Sequence, residues 1–262
     1  MTTVTILSDN EVGTSRPKGL RAEWGFAAAV GDVLFDAGQT GVAADNATRL
    51  EVGPFETIVL SHGHYDHTSG LPPFLEDATE LYCHPAAFEP KYSGGGDEPI
   101  GMPYARTWLE SQVAVTTHDE PVEVADGIYA LGEIPREFPD NPTGETVDRD
   151  GRRVADPVRD DQALAVETDD GIGLVLGCGH AGLRNTVVHA EATLDEPVRT
   201  VVGGTHLRSD DVDELTSIAR WLEDRIERIV PTHCTGHEAE RILRETFGDA
   251  FVRVGVGSTI EL

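Results

Sequence analysis

The stretch "IVLSHGHYDHTSGL" at residues 58–71 places three histidines and an aspartate within six positions, directly after an apolar run. Ionisable side chains are rarely this crowded, because most of them are solvated singly on the protein surface. The four crowded residues are His62, His64, Asp66 and His67. Their spacing indicates that they share one site.

A metal site explains this spacing. If residues 57–61 form a strand, His62 and His64 continue it at alternate positions and point to the same side. Two imidazoles on one side can bind one metal ion, and a turn after them lets Asp66 and His67 face a second ion. Nitrogen and carboxylate ligands suit Zn²⁺, and also Mn²⁺ or Fe²⁺. The alternative is a histidine-rich surface loop that binds no metal.

The chain of 262 residues is long enough for one large domain, and no linker separates two. We predict a single domain over residues 1–262, with halves that meet near residue 120. Three widely spaced cysteines without a CxxC pair argue for a reducing compartment. No apolar run approaches the roughly 20 residues of a membrane helix, and residues 1–10 do not resemble a signal peptide. We expect a cytoplasmic protein with no membrane partner, and its oligomeric state is left open.

The charge balance is strongly acidic. Forty-seven acidic residues oppose 20 basic ones, which gives a formal net charge of -27, and only Lys18 and Lys91 are lysines. The acidic residues are scattered along the chain, so the charge belongs to the folded surface and not to a tail. Such self-repulsion is tolerated when the Debye length shrinks to about 3 Å near 1 M salt. The composition resembles that of halophile proteins, and it argues against a nucleic-acid partner.

Apolar and β-branched runs alternate with helical patterns along the chain. We predict strands at residues 3–7, 27–36, 57–61, 81–84, 127–131, 162–177, 200–204, 228–232 and 251–256. The run at 162–177 is predicted to be a hairpin that turns at 169–171. Apolar residues at helical spacing predict a helix over 212–229. Residues 85–101 and 135–161 follow neither period and are predicted to be loops, either substrate lids or disordered segments.

The crowded residues resemble the signature HxHxDH of the metallo-β-lactamase superfamily. Every position of the signature is matched, by His62, His64, Asp66 and His67. The resemblance implies an α/β fold, a four-layer αββα sandwich with the metal site at one edge between the sheets. It also implies that the first two histidines hold one ion, while Asp66 and His67 hold the second. The segment "VLFDAG" at 33–38 is similar to the superfamily's strand and Asp-x-Gly turn, in which Asp36 would support the site.

Two metal ions also need ligands from the second half of the chain, where three histidines follow apolar runs. They are His180 in "LVLGCGHAG", His206 in "VVGGTHL" and His233 in "IVPTHCTG". Each is expected to emerge at one edge of a sheet. We predict that His180 binds the first ion and His233 the second. His206 is kept as an alternative ligand or as a catalytic residue that contacts substrate.

Further motifs narrow the resemblance to the branch of 7,8-dihydropterin-6-methyl-4-(β-D-ribofuranosyl)aminobenzene-5′-phosphate synthases. They are "SHGHYDHTSGL", "GEIPR" (132–136), "DDQAL" (160–164), "GCGHAGLRNT", "GGTHL" and "PTHCTG", with "DN" (9–10) and "AEWGF" (22–26) near the amino terminus. There are two departures from the superfamily. Cys178 or His180 stands where many members have a bridging Asp, and "GEIPR" replaces a "PGHT"-like segment that carries a histidine. Which second-half group completes which ion therefore stays open.

The candidate roles follow from the chemistry of the ions. A water on Zn²⁺ has a pKa lowered toward about 7, and Asp66 can orient that water as well as bind metal. Asp66 and His206 are therefore the candidate catalytic residues. An anionic substrate would need local positive charge, which the ions supply, aided by Arg136 or Arg184; either arginine can equally be a surface charge. Cys178 is a further candidate for a ligand or substrate contact, with a buried apolar role as the alternative.

These features predict a hydrolase with two divalent ions, Zn²⁺ preferred and Mn²⁺ or Fe²⁺ as alternatives. Its partner would be an anionic small molecule, a phosphate ester or carboxylic ester, attacked by metal-activated hydroxide. One alternative is a condensation of the dihydropterin synthase type, which joins a dihydropterin diphosphate to an arylamine with loss of pyrophosphate. Another is a metal-binding partner protein without catalysis. A resemblance in fold does not determine the substrate, so the hydrolase, the condensing enzyme and the non-catalytic protein all remain hypotheses.

Overall fold

The computed structural model describes residues 1–140, 143–147, 150–207 and 211–262. Within these ranges two β-sheets pack face to face, and helices cover the outer face of each sheet. The predicted four-layer αββα sandwich is therefore confirmed. Across the described part of the chain, no helix combines the length and the apolar character that crossing a membrane requires.

The first sheet is built from the first half of the chain and one strand from its end. The strands are β1 (Thr3–Ser8), β2 (Ala27–Val30), β3 (Val33–Phe35), β4 (Thr57–Val59), β5 (Glu80–Cys83), β7 (Ala114–Thr117) and β16 (Thr259–Glu261). Their order among the described residues is β16-β1-β2-β3-β4-β5-β7, and β3, β4, β5 and β7 run parallel. The helices of this half are α1 (Val42–Leu50), α2 (Tyr65–Thr68) and α3 (Arg106–Leu109).

The second sheet comes from the second half of the chain. Its strands are β8 (Val122–Ala125), β9 (Ile128–Ala130), β12 (Ala163–Thr168), β13 (Gly171–Leu176), β14 (Val198–Gly204) and β15 (Arg228–Thr232). Their order in the described ranges is β15-β14-β13-β12-β9-β8, and β13, β14 and β15 run parallel. The helices α4 (Leu183–Leu194), α5 (Val212–Glu223) and α6 (His237–Phe247) pack on its outer face.

Alternation along the strands divides the apolar side chains between the layers. In β13, Leu174 packs toward the helices and Val175 packs into the core between the sheets. In β4, Ile58 faces the outer layer while Val59 faces the same central core. Period-two alternation is what a strand with two buried faces requires. The predicted hairpin at 162–177 is confirmed, with Thr168 paired to Gly171 across the turn.

The two predicted loops contain strands that pair with each other. Described residues of these segments form a small sheet of β6 (Lys91–Tyr92), β10 (Glu145–Val147) and β11 (Arg153–Ala155), in the order β11-β10-β6. These segments were predicted to be loops, and the strands within them were missed because two- and three-residue strands leave no periodic signal. Positions 141, 142, 148 and 149 of the second loop lie outside the described residues.

The predicted helix at 212–229 is too long. Helix α5 ends at Glu223, and Ile229 belongs to β15. Ile226 and Ile229 are buried in the same core as the apolar residues of the helix. Their positions in the sequence happen to continue the helical spacing, so the pattern extended past the end of the helix. Asp211 caps the helix at its amino terminus, because its side chain accepts a hydrogen bond from the N–H of Glu214 at 2.8 Å.

The strand predicted at 251–256 is also wrong. Val252 donates its N–H to Ile229 in the second sheet, whereas Val256 donates to Glu11 beside the first sheet. A segment that crosses from one sheet to the other forms isolated bridges and no ladder. The strand that closes the first sheet is β16, and it was not predicted; β7 and β8 were missed as well.

Candidate metal centre

The parallel strands of both sheets end at one edge of the sandwich. Asp36 follows β3 and the histidine-rich turn follows β4, while residues after β13, β14 and β15 approach from the other sheet. Loops at the carboxyl ends of parallel strands meet at the same edge, which is where α/β folds usually bind ligands. The local sequence and the sheet order together therefore bring the candidate residues to one place.

Asp36 organises the turn that carries the signature. Its Oδ1 accepts the backbone N–H of Ser61 at 2.7 Å, and its Oδ2 accepts the Ser61 hydroxyl at 2.7 Å. The same Oδ2 lies 2.7 Å from Nδ1 of His67, and Ser61 Oγ lies 2.8 Å from Nδ1 of His62. Hydrogen bonds at Nδ1 leave the Nε2 atoms of both histidines as ligand atoms, the usual arrangement around metal-binding imidazoles.

The first group of candidate ligands consists of His62, His64 and His180. Their ligand atoms lie within 4.8 Å of one another. His62 Nε2 is 2.8 Å from His64 Nδ1, and the His180 ring lies 4.9 Å from that of His62 and 5.0 Å from that of His64. His64 Nε2 is buried and has no hydrogen-bond partner among the described residues, so its lone pair or proton is unsatisfied. Three convergent imidazoles fit one divalent ion.

The second group consists of Asp66, His67 and His233. These ligand atoms also lie within 4.8 Å of one another. Nε2 of His233 is 3.6 Å from Oδ2 of Asp66, and the rings of His67 and His233 are 5.1 Å apart. One carboxylate and two imidazoles fit a second divalent ion. The structure thus brings His180 to the first pair and His233 to the second, the grouping that the sequence analysis predicted.

Cys178 lies between the two groups. Its Sγ is 3.2 Å from Nε2 of His67, and it falls within 4.8 Å of ligand atoms of His62 and His67, one from each group. It also clusters with His233 and Cys234. Burial raises the pKa of the Cys178 thiol well above its usual value, and Cys234 adds to that. A divalent ion would reverse this preference, because a coordinating thiol is deprotonated.

His206 lies beside the first group and outside it. Its ring is 4.3 Å from that of His180, and its Nε2 is 3.2 Å from the hydroxyl of Thr143. Its backbone N–H donates to Sγ of Cys234 at 3.3 Å. Among the described residues His206 joins no cluster of metal-ligand geometry.

The backbone of His233 is held from both sides. Asp9 Oδ1 accepts its N–H at 2.8 Å, and Asn10 Nδ2 donates to its carbonyl at 2.7 Å. The residue has a φ of 47°, a left-handed conformation that costs free energy in non-glycine residues. Burial raises the pKa of Asp9 to about 6. In the sequence, "DN" at 9–10 is recognisable as a motif, but nothing there indicates its contact with a residue more than 220 positions away.

A buried ion-pair cluster supports the turn from the small sheet, and sequence reasoning missed it. Lys91 Nζ lies 2.8 Å from Asp160 Oδ1 and 3.2 Å from Asp156 Oδ2. Asp160 Oδ2 accepts the N–H of Gly63 at 2.7 Å, between the two histidines of the first pair. Lys91 is 2 % exposed, which is rare for lysine. The signal available in the sequence was the scarcity of lysine, since Lys91 is one of only two in the chain.

Burial and neighbouring charges set the protonation of the candidate ligands. Burial lowers the pKa of His62 well below 6.5 and that of His64 to about 4, so both are neutral at pH 7. Burial would lower the pKa of His67 too, but Asp36 and Asp66 outweigh it and raise the value to about 9. Neutral imidazole is the form that binds metal, so an ion at His67 must displace a proton.

The two candidate arginines each pair with an acid. Arg136 donates to Asp140 and, at 2.8 Å, to the carbonyl of Val158. Arg184 pairs with Glu214, and its guanidinium lies 5.0 Å from the ring centre of Phe138. Both side chains therefore have structural partners in the described part of the chain.

Comparison with known proteins identifies the family. The profile described as the metallo-beta-lactamase superfamily matches residues 31–233, which include both groups of candidate ligands. The chain belongs to the metallo-β-lactamase superfamily. The predicted family is thereby confirmed.

Individual relatives cover most or all of the chain. An uncharacterized protein of Methanocaldococcus jannaschii is 32% identical over 96% of this chain and 98% of its own length. The 7,8-dihydropterin-6-methyl-4-(β-D-ribofuranosyl)-aminobenzene-5′-phosphate synthase of the same organism is 29% identical, over 82% of this chain and 79% of its own. A solved structure described as a metal-dependent hydrolase of the β-lactamase superfamily has a TM-score of 0.88 and 29% identity, covering 100% of this chain and 99% of that one.

Proposed function

We propose that this chain is a metal-dependent hydrolase with two divalent ions, preferably Zn²⁺, that cleaves an anionic phosphate ester or carboxylic ester. The observation that carries the proposal is the pair of ligand groups, one of three histidines and one of Asp66 with two histidines, at a single edge. Each group offers three protein ligands, the number typical of catalytic zinc sites, which keep a position open for water or substrate.

The chemistry divides between the ions and the chain. Divalent ions held here would lower the pKa of a bound water toward about 7 and stabilise negative charge on a phosphoryl or carbonyl oxygen. Ser61 holds Nδ1 of His62 and Asp36 holds Nδ1 of His67, which leaves both Nε2 atoms as the ones that would bind metal. In this proposal Asp66 accepts a proton from water or orients it, and His206 exchanges a proton with bound substrate.

A condensation remains the second candidate, because a relative 29% identical over 82% of the chain is named a synthase. In that reaction the same groups would stabilise the negative charge that builds on a departing pyrophosphate. The two reactions differ in the nucleophile, which is water in hydrolysis and an arylamine in the condensation. We prefer hydrolysis because it requires one substrate site and not two.

Metal analysis combined with a substrate panel tests the proposal. The purified chain, reconstituted with Zn²⁺, Mn²⁺ or Fe²⁺, should hold close to two ions and hydrolyse at least one of a p-nitrophenyl phosphate, a phosphodiester or an acetate ester. Chelation should abolish turnover, and the melting temperature should fall because bound ions stabilise only the folded state. Turnover only of a dihydropterin diphosphate with 4-(β-D-ribofuranosyl)aminobenzene 5′-phosphate, the arylamine that the relative's name implies, would favour the synthase. Two ions with no turnover of any kind would favour the non-catalytic alternative.

A further inference from the structure

A cavity of about 270 Å³ adjoins the second ligand group on the side of His233. Trp24 forms one wall, and its ring lies 5.1 Å from that of His233. Trp24 is 41 % exposed, although a tryptophan that only fills space is normally more buried. Phe251 contributes a second aromatic side chain to the lining. A partly exposed indole beside a candidate metal centre offers aromatic surface against which a flat group can pack.

The polar lining of this cavity is acidic. Among the described lining residues, Asp9, Glu11 and Glu240 face one arginine, Arg253, which pairs with Glu11. Asp9 and Glu240 form no ion pair with any residue in the described ranges. Asp9 is 3 % exposed, so it is not part of the acidic surface that covers the rest of the molecule. Two uncompensated carboxylates disfavour an anion here and favour a positively charged group.

Thr232 provides an independent sign of a missing ligand. It lines the same cavity and is 4 % exposed, and its Oγ1 has no hydrogen-bond partner within the described part of the chain. A buried hydroxyl without a partner costs free energy unless something else satisfies it.

We propose that this cavity binds an aromatic cation, a flat ring that carries an amidinium or ammonium group, as part of the substrate. The ring stacks on Trp24, and the cation lies near the carboxylates of Asp9 and Glu240. This inference rests on the proposed function, because it assigns the cavity to the same substrate whose anionic group reaches the ions. The substrate is then bipolar, with its negative end at the ligand groups and its positive aromatic end behind His233.

Calorimetric titration with two matched probes tests the inference on the full chain. Benzamidine and benzamide have nearly the same shape, and only benzamidine is positively charged. Benzamidine should bind about tenfold more tightly than benzamide at the same salt concentration, as a cation–π contact plus a carboxylate would give. Its binding should persist after chelation, because it does not depend on the ions. Equal binding of the two probes, or binding of neither, overturns the proposal.

Paired variants locate the site. Trp24→Leu should weaken benzamidine about three- to thirtyfold, whereas Trp108→Leu, at a similarly exposed tryptophan outside the cavity, should leave it unchanged. Glu240→Gln should weaken it as well, and Glu245→Gln on the same helix should not. If the members of either pair behave alike, benzamidine binds elsewhere and the proposal is wrong.

The outcome separates this inference from the proposed function. A chain that holds two ions and hydrolyses a phosphate ester, yet does not prefer benzamidine to benzamide, contradicts only the inference about the cavity. A chain that binds benzamidine in the cavity but holds no ion under any reconstitution contradicts the proposed function. In an active preparation, benzamidine should also raise the KM of the hydrolysed ester without lowering kcat.

Discussion

Three residues at the candidate centre have left-handed backbone conformations although none is a glycine. They are Asp36, His206 and His233, with φ of 59°, 49° and 47°. Such conformations cost about 1–3 kcal/mol each and persist only when the surroundings enforce them. Ser61 holds Asp36, and Asp9 with Asn10 holds His233. Local strain concentrated at the end of three strands is consistent with side chains placed for chemistry and not for folding.

The roles of His180 and His233 can be tested by single substitutions. His180→Ala and His233→Ala should each remove about one metal ion and most turnover, since each group would keep only two of its three protein ligands. Metal counting on the purified variants checks this. His118→Ala, at a half-buried histidine outside both groups, is the matched control and should keep both ions. A variant of either ligand histidine that retains two ions would contradict the assignment.

His206 should behave differently from those two. Because it contacts His180 and Thr143 but joins no ligand group among the described residues, His206→Ala should keep both ions. Its rate should fall by roughly 10²–10⁴ if the residue transfers a proton. Metal counting beside kinetics distinguishes the cases. Loss of an ion in His206→Ala, with two ions kept in His180→Ala, would show that the two roles are reversed.

At the scale of elements, the small sheet of β6, β10 and β11 connects two long segments to the ligand-bearing turn. Lys91 of β6 is tied to Asp160, and Asp160 accepts the N–H of Gly63. A side chain at Gly63 would meet the carbonyl oxygen of Ala87 at 2.1 Å, so the turn is enclosed on that side as well. The two segments that were predicted to be loops therefore help to position His62 and His64.

Removing the lysine should destabilise the fold. Lys91→Met leaves two carboxylates buried without a cation, which should lower the free energy of unfolding by about 3–5 kcal/mol. Lys18→Met, at the other lysine, is exposed and should change it by less than about 0.5 kcal/mol. Urea unfolding of both variants measures the difference. If Lys91→Met and Lys18→Met changed the free energy of unfolding equally, the buried cluster would contribute no more to stability than an exposed lysine does.

The same variant predicts a dependence on pH. Burial would raise the pKa of Asp160, but Lys91 outweighs it and keeps the pKa below 3.8. The stabilisation is therefore present above pH 3.8 and is lost as the pH falls through the lowered pKa. The difference in unfolding free energy between wild type and Lys91→Met should be largest near neutral pH and shrink in acid. A difference that grows in acid would contradict this account.

At the scale of the whole molecule, the net negative charge is the main factor that makes stability depend on salt. A net charge of -27 on 262 residues produces repulsion that dilute buffer does not screen. The melting temperature should therefore rise from low salt to molar KCl, as the Debye length shrinks from about 10 Å at 0.1 M to about 3 Å at 1 M. Thermal melts over a KCl series measure this. A melting temperature that stays flat or falls would remove the halophile interpretation and leave the metal centre untouched.

The sequence by itself determined the fold class, the family and the first half of the candidate centre. His62, His64, Asp66 and His67 are neighbours in the chain, so one strand and one turn suffice to bring them together. Periodicity also located the long strands and the hairpin, because buried strands with two apolar faces carry a strong local signal. It missed several short strands, the turn that divides the strand predicted at 27–36 into β2 and β3, and the end of α5.

Only the tertiary structure decided which distant residues join which group. His180 and His233 follow β13 and β15, and the parallel order β13, β14, β15 sets their ends in a row along one edge. Which end faces which part of the turn depends on how the two sheets are aligned, and the hydrophobic pattern of one sheet carries no information about the other. The same reason hid the contact of Lys91 with Asp160. Sequence periodicity reports which face is buried, whereas only packing determines what that face meets.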